Sequence, residues 1–254
     1  MNTLEPPETH ADVTAHSAGS TPLPGLRPAK SRLVALCIAL ATVFVLGFSY
    51  GLVNELSAAR GVTVFDPEQL FLFGDRSLDS RIPYLPWTLR IYLSLFIVYL
   101  LPVVTYPKTE TGASELLALY WGLIVITLVA CVLFVLCPAE ISRQAVRDHK
   151  GMSEVHAGVL GMHAMSPPFN TWPSLHVAQS GLIFLMLARW LARRHWGVLF
   201  CGAWVGLSVS TLTIKEHFIW DVMTGSLLAL GYWHWRLKTP INGAAVNGNP
   251  ALSQ

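Results

Sequence analysis

Charge is scarce in this chain. Only 13% of its 254 residues are Asp, Glu, Lys or Arg, against ~25% in ordinary soluble domains. Hydrophobic residues make up 53%, and the mean hydropathy is +0.49. A soluble enzyme of this composition would have little polar surface to show to water. The net charge of +2 is too small for a nucleic-acid footprint, so no nucleic-acid partner is expected. Cysteine is also sparse. The four cysteines have no metal-like or redox-like spacing, which argues against a zinc cluster or a disulfide framework. Cys37, Cys131 and Cys201 lie within apolar runs and Cys137 ends one, so they read as small packing residues. Alternating apolar and polar residues are missing too, which excludes a transmembrane β-barrel.

What is present is long apolar runs. Six can be traced, over residues 33–52, 87–105, 116–136, 177–191, 198–213 and 218–235. Helices are expected, because a continuous apolar run in lipid must satisfy its backbone groups within itself. The shorter runs reach the ~20 residues of a full span by borrowing neighbours: 174–176 for the fourth, 196–197 for the fifth. The expected fold is an all-α polytopic membrane bundle of about six spans over residues 32–238. The polar arm 1–31 and the tail 239–254 are expected to be disordered. The first run lies far from the chain start and is long for a signal core, so it reads as a retained anchor.

Orientation is read from Lys and Arg. Lys30 and Arg32, Lys108, Arg189 with Arg193 and Arg194, and Arg236 with Lys238 all fall on one side of a six-span protein. The positive-inside rule makes that side cytoplasmic, with both termini. The expected setting is a bacterial inner membrane. His176 opens the fourth span and His217 the sixth, so both face the periplasmic or extracellular side. Arg143, Arg147 and Lys150 weaken the charge bias there; they make sense if the loop binds an anion.

His217 and Asp221 are four residues apart at a helix start, and so share one face. A carboxylate on one ring nitrogen fixes the tautomer and leaves the other nitrogen to act. Asp221 sits inside an apolar run, where a carboxylate marks a functional site. Pro173-Ser174-Leu175-His176 reads as a helix start with Ser174 as N-cap. Such an end is an anion site by its free N–H groups and dipole. Two histidines, one held by Asp, suit phosphoryl transfer: one attacks phosphorus, the other protonates the leaving oxygen. The pattern alone allows the two to exchange roles. His149, His156 and His163 recur at spacings of seven. Metal sites want three convergent ligands, so neither a metal nor another cofactor is expected.

These motifs resemble the type-2 phosphatidic acid phosphatase superfamily, which includes vanadium haloperoxidases. That family's pattern is Lys, six residues, Arg-Pro; then Pro-Ser-Gly-His; then Ser-Arg, five residues, His, three residues, Asp. Here the second element is Pro173-Ser174-Leu175-His176. The third is Ser210-Thr211, five residues, His217, three residues, Asp221. The first element is absent, Leu175 replaces the Gly and Thr211 the Arg. These departures resemble the inositol phosphorylceramide synthase-like branch, whose middle motif often reads Pro-Ser-Leu-His. The resemblance covers residues 87–235. It implies His217 as nucleophile, Asp221 as its orienter, His176 as general acid and Ser174 as a phosphate ligand. Arg143, in a Pro-containing stretch after the third run, is the proposed replacement phosphate ligand, and Lys215 supplies the charge that Thr211 lost. The implied function is a lipid phosphate phosphatase or phosphotransferase. Its partners would be a membrane lipid phosphate and the bilayer. Residues 79–87 read as an interfacial entry to the second span, outside the active site. A channel or transporter using His217–Asp221 as a proton relay, and an inactive member of the same fold, are the competing readings.

Overall fold

The computed structural model describes residues 32–73, 76–151 and 153–239. The expected arm 1–31 and most of the expected tail lie outside the described residues. Helix α1 covers Arg32–Arg60 and is followed by a short ladder of β1 (Leu72–Phe73) with β2 (Arg76–Ser77), antiparallel, Leu72 opposite Ser77. Then come α2 (Leu78–Arg81), α3 (Leu89–Leu93), α4 (Leu95–Val98) and α5 (Leu101–Thr105). The long α6 (Glu110–Leu136) leads to α7 (Gln144–Arg147) and α8 (Glu154–Met165). The chain closes with α9 (Leu175–Leu191), α10 (Arg194–Thr213) and α11 (Ile219–Tyr232), the last continued by a wider turn over Trp233–Leu237. Beyond that ladder, the regular elements described are helical.

Local chemistry sets several of these boundaries. Thr109 caps α6 by accepting from Gly112 N at 3.0 Å, and Pro138 follows its end. Ser153 caps α8 through His156 N at 3.1 Å. The second apolar run is not one helix. Pro102 lacks an N–H, and Ser94 Oγ donates to Ile91 O at 2.6 Å. The run becomes α3, α4 and α5, joined by tight turns such as Ile97 N to Ser94 O at 2.9 Å.

Three helices, α1, α6 and α10, are long and apolar enough to cross a membrane, and Pro86–Val98 and α9 are shorter apolar helices. Helix α9 is the axis of the bundle. It packs on α6, α10 and α11, and Val177, Ala178, Leu182, Ile183, Met186 and Leu187 are fully buried. The outer faces stay apolar: Phe44, Phe48 and Leu52 on α1, Leu128 and Val132 on α6, Val198 and Val205 on α10 are all exposed. Apolar faces of this extent fit lipid, not water.

The two ends of the bundle differ. At one end Arg189 Nη2 pairs with Glu115 Oε1 at 2.9 Å, and Trp190 Nε1 donates to Glu115 Oε2 at 2.7 Å. Arg189 also donates to Leu237 O. This joins the end of α9, the start of α6 and the turn after α11. At the other end α1 and α6 finish together, with Arg60 Nη1 donating to Val135 O and Val64 N to Pro138 O. Helices α9 and α11 begin there, as their sequence positions predicted.

Candidate active site

His217 lies in the tight turn between α10 and α11. Lys215 takes a left-handed φ of 61°, and Glu216 N and His217 N both donate to Thr211 O, at 3.0 and 3.3 Å. Thr211, which stands where the family has Arg, thus anchors the turn by its carbonyl. His217 Nδ1 lies 2.9 Å from Thr171 O and 3.3 Å from Asp221 Oδ2. A carbonyl only accepts, so Nδ1 carries the hydrogen and Nε2 keeps its lone pair. Nε2 faces His176 Nδ1 at 3.1 Å.

Asp221 is fully buried. Its Oδ2 also accepts from Phe218 N at 2.9 Å, while Oδ1 has no hydrogen-bond partner among the described residues. The carboxylate therefore ties the first turn of α11 to the ring of His217. Ser174 is buried too. Its Oγ accepts from Val177 N at 3.4 Å, as an N-cap should, and its N–H donates to Asp221 O at 3.0 Å. That last bond sets the start of α9 against α11. The predicted set His217, Asp221, His176 and Ser174 comes together.

The two predicted cations sit differently. Arg143 is buried, with Nη1 on His163 O and Ser166 O at 2.9 and 2.8 Å and Nη2 on Glu216 Oε1 at 3.0 Å. Its guanidinium is engaged by protein acceptors, one of them on Glu216, the residue before His217. Lys215 Nζ donates to Ile82 O at 2.7 Å and Asp79 O at 3.2 Å. It lines a cavity of about 210 Å³ with His217, Asp79, Glu68 and Ser142. Burial pushes the Lys215 ammonium down from its ordinary value, against the pull of Asp79 and Glu68.

Three neighbours, Tyr92, Glu216 and Asp79, were not read from the sequence as site residues. Tyr92 OH lies 2.6 Å from His176 Nε2. Glu216 pairs with His163 Nε2 at 2.6 Å as well as with Arg143. Burial raises the Glu216 carboxyl, but His163 and Arg143 outweigh it, and the net shift is downward. Asp79 Oδ1 accepts from Ile219 N at 2.7 Å, so the stretch set aside as a span entry in fact caps the start of α11. Burial raises the Asp79 carboxyl, with the Ile219 bond opposing. Only the position of Glu216 beside His217 was a usable signal.

A second cavity, of about 260 Å³, lies between α1, α3–α4 and α9. Val43, Leu46, Leu95 and Phe96 make it apolar, and Tyr92 and His176 stand at its polar wall. An acyl chain or other apolar group is thus offered space directly beside the histidine pair. Among the described residues no group of three or more His, Cys, Asp or Glu is placed to hold a metal ion.

A family model described as the PAP2 superfamily matches residues 68–235. The chain belongs to the PAP2 superfamily. The match takes in both histidine motifs, Glu216, Tyr92 and Asp79, and it agrees with the sequence resemblance at the level of the superfamily. Membership points to phosphatase or phosphotransferase chemistry. Comparison with curated proteins and with solved structures gives no match.

Proposed function

We propose that the protein is a lipid phosphate phosphatase or phosphotransferase that works through a phosphohistidine on His217 at the outer surface of a bacterial inner membrane. The observation that carries this is the direction of the His217 ring. Its Nδ1 is held by Thr171 O and Asp221, and its Nε2 points at His176 Nδ1 across 3.1 Å. A nucleophile with its lone pair free and a proton donor opposite it are the two parts an in-line displacement at phosphorus needs.

In this reading phosphate enters between the two rings, which part to admit it. His217 Nε2 bonds to phosphorus, the ester P–O bond breaks, and His176 protonates the leaving oxygen. Water or an alcohol then takes the phosphoryl group from His217, with His176 as base. The apolar cavity beside His176 suits a lipid leaving group, and it suits a lipid alcohol as acceptor in a branch like the inositol phosphorylceramide synthases. Ser174 keeps its hydroxyl proton for a phosphate oxygen, and the N-terminal amides of α9 add to it. Lys215 supplies positive charge. Arg143 contributes by exchanging a carbonyl contact for a phosphate oxygen. Six spans with both termini cytoplasmic complete the proposal, and no metal takes part.

The test is phosphate release from phosphatidic acid, lysophosphatidic acid and isoprenyl diphosphate by the detergent-purified protein. Wild type should release phosphate from at least one, in EDTA as well as without it. His217→Ala should lose at least about a thousand-fold. Equal signals from the two proteins would sink the proposal.

A further inference from the structure

His176 has two ring nitrogens, and the chemistry proposed above uses only one. Nδ1 faces His217 Nε2 at 3.1 Å, and Nε2 faces the Tyr92 hydroxyl at 2.6 Å. The Tyr92 ring also lies against the imidazole, with centroids 4.6 Å apart and planes tilted by 37°. We infer that Tyr92 is the positioning residue that sets the tautomer and orientation of His176, and through them the delivery of a proton to the leaving oxygen; this rests on the phosphotransfer reading.

The hydrogen-bond directions can be followed from one end. Thr171 O forces the hydrogen onto His217 Nδ1, so His217 Nε2 is an acceptor. The only group that can donate to it across the 3.1 Å contact is His176 Nδ1–H. In a neutral ring His176 Nε2 is then the lone-pair nitrogen, and Tyr92 must donate to it. Without the phenol, the neutral ring is free to carry its hydrogen on Nε2. Two lone pairs would then face each other, and the contact that aims His176 Nδ1 at the reaction site would be lost.

A hydroxyl also serves the charged state. As the acid, His176 is an imidazolium with hydrogens on both nitrogens. Its Nε2–H then donates to Tyr92 Oη, the hydroxyl having rotated from donor to acceptor. His176 Nδ1 gives its proton to the ester oxygen as the P–O bond breaks and the N–P bond to His217 forms. Neutral His176 keeps Nε2–H on Tyr92. Its Nδ1 lone pair next takes a proton from water or the acceptor alcohol as the N–P bond breaks, and the imidazolium returns. A backbone carbonyl in place of Tyr92 could serve only the Nε2–H forms.

The phenol is well held for this task. Tyr92 is 8% exposed and belongs to a buried apolar cluster with Leu89, Val146, Val159 and Ile214. These come from α3, α7, α8 and the turn that carries His217. Tyr92 therefore tracks the same turn as the nucleophile.

Leaving-group dependence tests the inference. The purified protein is assayed with short-chain phosphatidic acid, whose alkoxide must be protonated, and with p-nitrophenyl phosphate, whose phenolate leaves unaided. For Tyr92→Phe, kcat on the lipid should fall about 10- to 100-fold, and on the nitrophenyl ester less than about 3-fold, as expected for lost general-acid support. KM for the lipid should stay near the wild-type value. Equal losses on both esters would make Tyr92 merely structural and overturn the inference, as would no loss on either. Should Tyr92→Phe not fold, a fluorinated tyrosine at position 92 keeps the shape and changes phenol acidity. It must alter kcat on the lipid and not on the nitrophenyl ester; the absence of a difference overturns the inference. Wild type and His217→Ala equally inactive on both esters would remove the phosphotransfer reading itself, and this inference with it.

Discussion

Glu216 holds more of the site than its neighbour's fame suggests. It is 8% exposed, and it faces the Arg143 guanidinium and the His163 ring from the residue before His217. Its carboxyl is held below the ordinary carboxylate value of 4.5 by these partners, in spite of burial. The ionised form is therefore favoured by the fold. A depressed native pKa contributes stability that is present above the unfolded value and lost as pH falls through the native value. The thermal midpoint in detergent should fall on acidification below pH 4.5. Glu216→Gln should flatten that dependence and lose about 3–5 kcal/mol at neutral pH, because Arg143 stays buried without its counter-charge. Unchanged midpoints would contradict the assignment. At this scale the sequence was readable where a residue's chemistry clashed with its surroundings. Asp221 in an apolar run and His217 four residues before it announced themselves. Tyr92 did not, because a tyrosine in an apolar run reads as membrane-interface decoration. Arg143 was marked as a cation near phosphate; its capture by Glu216, His163 O and Ser166 O depended on contacts more than twenty residues away in the chain for two of the three partners.

Among the elements, the crossing of α9 and α11 fixes the histidine pair. Ser174 N donates to Asp221 O at 3.0 Å, and Gly225 passes Ser174 so closely that a Cβ there would lie 2.5 Å from Ser174 O. Backbone on backbone cannot give way cheaply. Gly225→Ala should cost about 1–3 kcal/mol by overpacking and lower activity by displacing His176 from His217. Gly206→Ala on α10, where nothing lies within 4 Å, is the control and should keep wild-type stability and turnover. Thermal melts and phosphate release on both variants check this; equal behaviour would mean that the crossing has slack. Helix starts were legible from Ser174 and from the run boundaries. The splitting of the second run into α3, α4 and α5 was not, since hydrophobicity is blind to the tight turns around Ser94 and Pro102. Helix α8 was missed for the opposite reason: Gly158, Gly161, His156 and His163 hide any apolar stripe in a loop between apolar runs.

For the whole molecule, the apolar exterior and the segregated ends define what the site can see. The Arg189–Glu115 pair and the histidine pair lie at opposite ends of α9, a helix of 17 residues that is ~26 Å long. The histidine pair thus sits at one end of the bundle, with an apolar cavity beside His176 between α1, α3–α4 and α9. In the proposed function a lipid presents its phosphate to His217 without leaving the bilayer. The apolar runs indicated a helical membrane bundle, because that follows from composition along the chain. The cavity beside His176 was beyond reach, since it is made by residues of several elements far apart in the chain. The most direct measurement is trapping of the covalent intermediate. Purified protein is mixed with phosphatidic acid carrying radiolabelled phosphate, quenched within a turnover, and the protein-bound label is mapped. The account predicts an acid-labile, base-stable label on His217, absent in His217→Ala. Label on His176, or turnover with no labelled protein at any quench time, would contradict it.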